Sequence, residues 1–154
     1  MAITISSALD YCGMRELGAD AVFTISSAKP GNGVDQIRDE RLDTYWQSDG
    51  AAPHYINIHF MEKKEISHIC IFCDFNGDES YTIKKVCVRS GTTAHDLIDV
   101  TTFELTEPIG WVSVPLKDPL GSESHLRTHL LQVKIISMHQ NGMSMNRKYI
   151  LISS

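Results

Sequence analysis

"HYINIHF", residues His54 to Phe60, alternates polar and apolar side chains with a period of two. Successive side chains of an extended chain point to opposite faces, so Ile56, Ile58 and Phe60 share one face and Tyr55, Asn57 and His59 the other. That is the pattern of a strand in an antiparallel sheet with one face buried. "LLQVKII" (130–136) repeats it, setting Leu131, Val133 and Ile135 against Gln132 and Lys134. "AVFTISS" (21–27), "ISHICIFCD" (66–74), "TIKKVCVRSG" (82–91), "VTTFEL" (100–105), "GWVSVPL" (110–116) and "RKYILI" (147–152) read as further strands, about eight in all. Helical signals are weak: a first turn at Tyr11–Gly18, and "GVDQIRDERL" (33–42), whose Val34, Ile37, Arg41 and Leu42 make a short apolar edge after the turn "KPGNG". Short strands punctuated by Gly, Pro, Asn and Asp predict an all-β fold, a β-sandwich or jelly roll with short peripheral helices.

With 154 residues the chain has the length of one domain built on one core, with a lead-in over about residues 1–20. The formal charge is −5, and the 14 Lys and Arg are spread thinly, which argues against a phosphate-tracking surface and so against a nucleic-acid partner. The opening residues show no secretory pattern, and no apolar run approaches the roughly 20 residues of a membrane helix. Cys12, Cys70, Cys73 and Cys87 lie in or beside apolar runs, and no Asn-x-Ser/Thr acceptor occurs; both features suit a reducing, intracellular setting.

Cys70 and Cys73 form a C-x-x-C, but positions three apart on a strand face opposite sides, so we expect small buried side chains and no metal or redox pair. "GNG" (31–33) lacks the Lys-Ser/Thr of a phosphate loop and reads as a turn. Neither a G-x-S-x-G elbow nor H-E-x-x-H is present, and no acid–base pair stands out, so neither enzymatic activity nor a cofactor is expected. "RTHL" (127–130) fits a short R-x-x-L degron, yet its leucine belongs to the strand that follows.

Three loops differ from the rest. "WQSDG" (46–50), "DFNGDESYT" (74–82) and "HQNG" (139–142) each adjoin a strand and are dense in hydrogen-bonding groups. Loops gather at the two ends of a sandwich, so distant segments can line one polar patch.

The stretches "SSAKPGNGVDQIRDERLDTYWQSDGAAPHYINIHF", "DFNGDESYTIKKVCVRSG", "EPIGWVSVPL" and "HQNG", in this order and spacing, resemble the Doc-domain family of anaphase-promoting-complex subunits, from about Arg15 to Ile152. The resemblance implies a galactose-binding-like jelly roll that does no chemistry and works in the nucleus and cytoplasm. Its implied role is a processivity factor of a multisubunit ubiquitin ligase, sharing with a WD40 coactivator a receptor for the destruction box of substrates. Implied partners are the ligase's cullin/RING module and tetratricopeptide-repeat subunits, the coactivator and the substrates.

By match to the family's ligand loops, peptide contact falls to Ser48, Asp49, Asp78, Glu79, Ser80, Tyr81, His139, Gln140 and Asn141. Trp46 would hold its loop by burying its ring, and Gly50 and Gly142 would shape the backbone. The family typically continues into a tail ending in Ile-Arg that docks on a tetratricopeptide-repeat subunit, whereas this sequence closes on "YILISS"; with the tail either trimmed away or natively lacking, attachment through the sandwich surface, or weaker than that of a tailed relative, is expected. A Doc domain of a larger ubiquitin ligase and a lectin-like module, with Tyr81 as its aromatic platform, are the alternative readings.

Overall fold

A computed structural model describes residues 17–26, 33–38, 46–47, 53–74, 83–106, 109–120, 125–138, 146–147 and 149–153. Its strands are β1 (Ala21–Ile25), β2 (Trp46–Gln47), β3 (His54–Ile66), β4 (His68–Asp74), β5 (Ile83–Gly91), β6 (Ile98–Glu104), β7 (Ile109–Pro115), β8 (Leu126–Met138), β9 (Asn146–Arg147) and β10 (Tyr149–Ser153). Helix is confined, among the described residues, to a 3-10 turn at Gly18–Asp20 and to α1 (Val34–Arg38). The predicted helical turn at 11–18 falls mostly outside the described residues.

All ladders are antiparallel. Five strands form one sheet in the order β1-β3-β8-β5-β6, three form a second as β10-β4-β7, and β2 pairs with β9. The alternation of "HYINIHF" is realised as read: Ile56, Ile58 and Phe60 are buried, whereas Tyr55 and Asn57 are half-buried and His59 is exposed. In register, Ile56 meets Val133 and Ile58 meets Leu131, and on the other side of β8 Val133 meets Val88 and Ile135 meets Val86. These side chains share one apolar cluster with Ile69 and Ile71 of the second sheet, which makes the two sheets a sandwich around a single core. Ile37 of α1 is fully buried in the same cluster.

β3 runs six residues past the predicted segment. After the pair His59–Leu130 the next is Lys64–Thr128, so β3 advances five residues while β8 advances two. The surplus is an excursion around Met61–Lys63, whose polar, non-alternating sequence carries no strand signal. Ser67 then turns the chain into the second sheet, and its carbonyl accepts the Leu116 N–H at 2.7 Å, tying the end of β7 to the same place. Strand β4 therefore runs back to the opposite end of the sandwich, where Asp74 closes it.

Gln132 is the departure from simple alternation. It lies on the outer face yet is 8% exposed, because one row of paired residues crosses the sheet there: Asn57, Gln132, Arg89 and Asp99 on β3, β8, β5 and β6. Gln132 Nε2 donates to Asn57 Oδ1 at 3.0 Å, and Arg89 Nη1 donates to Gln132 Oε1 at 3.1 Å. Arg89 Nε stands 3.4 Å from Asp99 Oδ1, an ion pair without hydrogen-bond geometry.

Candidate functional site

The candidate contact residues Ser48, Asp49, Asp78, Glu79, Ser80, Tyr81, His139, Gln140 and Asn141, and with them Gly50 and Gly142, lie outside the described residues. For Trp46 the backbone is described and its side chain is not. The strand ends that flank the three loops are described, and their pairing is specific.

The segment 75–82 joins Asp74 of β4 to Ile83 of β5, and the segment 139–145 joins Met138 of β8 to Asn146 of β9. Ile83 and Met138 are register partners, so the chain enters β5 where it leaves β8. At the far side of the second segment, Asn146 pairs with Gln47 and Arg147 with Trp46. Gln47 immediately precedes Ser48, so the described residue leading into "SDG" sits beside the one that closes the 139–145 segment. β4 in turn adjoins β9. One chain of backbone pairings thus links the roots of all three loops at a single end of the sandwich.

The same end is braced on its other side. Ser26 N–H donates to the Tyr55 carbonyl at 2.9 Å, and Tyr55 N–H donates to Ser26 Oγ at 3.0 Å, locking the exit of β1 onto the start of β3. His54 beside it is 2% exposed. Leu105 N–H donates to the Lys84 carbonyl at 2.7 Å and holds the exit of β6 against the entry of β5. Sheet hydrogen bonds thus fix the roots of the three loops relative to one another.

Cys70 lies on β4 and is buried, with its Sγ 3.6 Å from Ser113 Oγ; Cys87 is buried on β5; neither is in a disulfide. Cys12 and the side chain of Cys73 lie outside the described residues. Among the described residues no three His, Cys, Asp or Glu side chains gather to hold a metal. No helix among them is long and apolar enough to cross a membrane.

Comparison with known proteins adds what geometry alone does not. The family model described as "Anaphase-promoting complex, subunit 10" matches residues 5–154. A Drosophila melanogaster protein named anaphase-promoting complex subunit 10 is 48% identical over 90% of this chain and 70% of its own length. The human protein of that name is 45% identical over 90% and 74%, and the Schizosaccharomyces pombe one 40% identical over 91% and 74%.

Among solved structures, the family 32 carbohydrate-binding module (CBM) of Clostridium perfringens NanJ, in complex with galactose, superposes with a TM-score of 0.72 at 13% identity over 89% of this chain and 96% of that one. The two CBM32 domains of ZmpB from the same organism give 0.79 at 13% identity, over 100% of this chain and 40% of that one. At such identity the likeness establishes the galactose-binding-like jelly roll and nothing about ligands.

Proposed function

Since the chain belongs to the anaphase-promoting complex subunit 10 family, we propose that it is a non-catalytic substrate-recognition and processivity subunit of that ubiquitin ligase. Its three polar loops form, with a WD40 coactivator, a receptor for the destruction box. Ser48 and Asp49, Asp78 to Tyr81, and His139 to Asn141 supply the donors and acceptors that meet an extended peptide. The observation that supports this reading is the convergence of the loop roots, Ile83 beside Met138 and Gln47 beside Asn146.

A patch of this kind gives modest affinity by itself. Linked to a coactivator that holds the other part of the same peptide, it raises the effective concentration of the bound segment and slows its release. Slower release is what a processivity factor has to provide: more ubiquitins are added before the substrate departs. The surface acts by holding rather than by reacting, so no nucleophile or proton-transfer group is required of it, and the cullin/RING module carries the transfer. This work belongs to the nucleus and cytoplasm.

The test is site-specific photocrosslinking within the assembled ligase. A photoreactive residue at Asp49 or Gln140 is expected to capture a destruction-box peptide when the coactivator is present, and to lose it when the box is mutated. Capture that ignores the box sequence, or none from either position in ligase that does bind the peptide, would refute the loop assignment.

A further inference from the structure

The roots of the three polar loops are held with unequal strength. The segment 75–82 leaves β4 and enters β5, strands of seven and nine residues. Each is paired on both sides, β4 by β10 and β7, and β5 by β8 and β6. Their core-facing side chains Ile69, Ile71, Val86 and Val88 are fully buried, so separating these roots means opening the sandwich itself.

Gln47, which precedes Ser48, and Asn146, which follows the segment 139–145, are rooted differently. They belong to β2 and β9, described over two residues each, which form a ladder of their own outside the two main sheets. The ladder consists of the pairs Trp46–Arg147 and Gln47–Asn146. A two-stranded ribbon is marginal by itself in water even at ordinary strand length, and this one is far shorter.

Its two halves are anchored to different parts of the body. β2 packs on α1, whose Ile37 is fully buried in the core, whereas β9 adjoins β4 and leads through one residue into β10. Opening the ladder therefore leaves both anchors, and the core between the sheets, in place. Such an element opens locally at a small fraction of the cost of global unfolding.

We propose that the β2–β9 ladder is a clasp that assembles the receptor: it opens and closes while the sandwich stays folded, and only its closed form brings the roots Gln47 and Asn146 together to grip a peptide. A peptide that spans the loops binds the closed form better and so pulls the ladder shut. By linkage, a ladder held shut raises peptide affinity by the reciprocal of the fraction closed in the free chain. The proposal rests on the receptor reading above and adds how that surface is put together.

The experiment places a reversible lock on the ladder. Directly opposed residues of an antiparallel pair have Cα atoms about 4.5–5.5 Å apart, within the span of a disulfide, so Q47C/N146C can be crosslinked by oxidation. Full-length parent and variant, each prepared oxidised and reduced, are assembled with coactivator into ligase lacking the endogenous subunit, and binding of a destruction-box peptide is measured. The locked variant is expected to bind about threefold to tenfold more tightly than its reduced form, through slower release, which corresponds to a ladder closed roughly 10–30% of the time in the free chain. The parent should bind alike in both preparations. In the purified full chain, amides at 46–47 and 146–147 should exchange at least about tenfold faster than those of β5 and β8, and should slow when the variant is locked.

Equal or weaker binding by the locked form, with the crosslink verified by mass, overturns the clasp. Ladder amides that exchange as slowly as those of β5 and β8 overturn it too, and so does a crosslink that fails to form in folded protein, because the register it depends on is then absent. The loop variant S48A/E79A/S80A/N141A separates this from the receptor reading. If that variant binds the peptide as the parent does, the receptor reading fails; if it loses the peptide while locked and reduced Q47C/N146C bind alike, the clasp alone fails.

Discussion

Gln132→Leu tests how the outer face of the five-stranded sheet is held. The substitution keeps volume and apolar stem but removes an amide that satisfies two neighbours, Asn57 Oδ1 at 3.0 Å and Arg89 Nη1 at 3.1 Å. A hydrogen bond to a charged group contributes about 1.5–3 kcal/mol and a neutral one about 0.5–1.5 kcal/mol. Arg89 is 29% exposed, and its Nε already has no hydrogen bond, so water can replace part of the loss at Nη1 and nothing else in the row can. The expected destabilisation is therefore about 2 kcal/mol, the lower end of the sum. For a chain of this size that is a fall in Tm of about 4–8 °C.

Urea unfolding followed by fluorescence should show the midpoint shift with an unchanged m-value, because the exposed surface on unfolding is the same. The double variant with Asn57→Ala should be less destabilised than the sum of the two single variants, since both remove one contact. A Gln132→Leu change below about 0.5 kcal/mol, or strict additivity with Asn57→Ala, would show that the row is not a coupled network.

Three further outcomes are specific. Gly91→Ala should destabilise by about 1–3 kcal/mol in the same urea assay, because its Cβ would come within 2.5 Å of Asp96 Oδ1 and 3.0 Å of the Asp96 carbonyl oxygen, and the carboxylate is tied down by the turn and cannot step aside. The Thr93 N–H first, with that of Thr92, holds the Asp96 carboxyl below its ordinary pKa of 3.8. Its stabilising contribution is thus present above that value and lost as pH falls through the lowered one, so the Tm gap between parent and Asp96→Ala should persist at about pH 6 and close towards about pH 2. A gap that closes already near neutrality would contradict this. Finally, purified protein should carry no stoichiometric zinc by elemental analysis and should show four free thiols on denaturation, in keeping with buried Cys70 and Cys87, neither of which is in a disulfide.

The strands that form the core were legible because burial on one face leaves alternation: Ile56, Ile58 and Phe60, and Leu131, Val133 and Ile135, sit inside as their spacing indicates. The far part of β3 was not, since the chain leaves its register with β8 around Met61–Lys63 and has no buried face to repeat there. Gln132 escaped for a different reason. Alternation marks it as outward and hence wet, whereas its burial depends on partners 75 and 43 residues away, which no local pattern encodes.

The candidate loops were recognised by family resemblance and by polar density, whereas the pairing of their roots, Ile83 with Met138 and Gln47 with Asn146, required the register of two separate sheets.

The most direct measurement of the central claim is the number of ubiquitins added per substrate encounter by ligase containing the loop variant S48A/E79A/S80A/N141A. Surface substitutions usually change stability by no more than about 0.5 kcal/mol each, and the sequence reads these four residues as polar loop positions, so a folded, incorporated protein is expected. On destruction-box substrates it should add fewer ubiquitins per encounter than the parent, and on a substrate whose box is already mutated it should cause little further loss. A folded and incorporated variant that extends chains on destruction-box substrates as processively as the parent would contradict the assignment of these loops as the receptor.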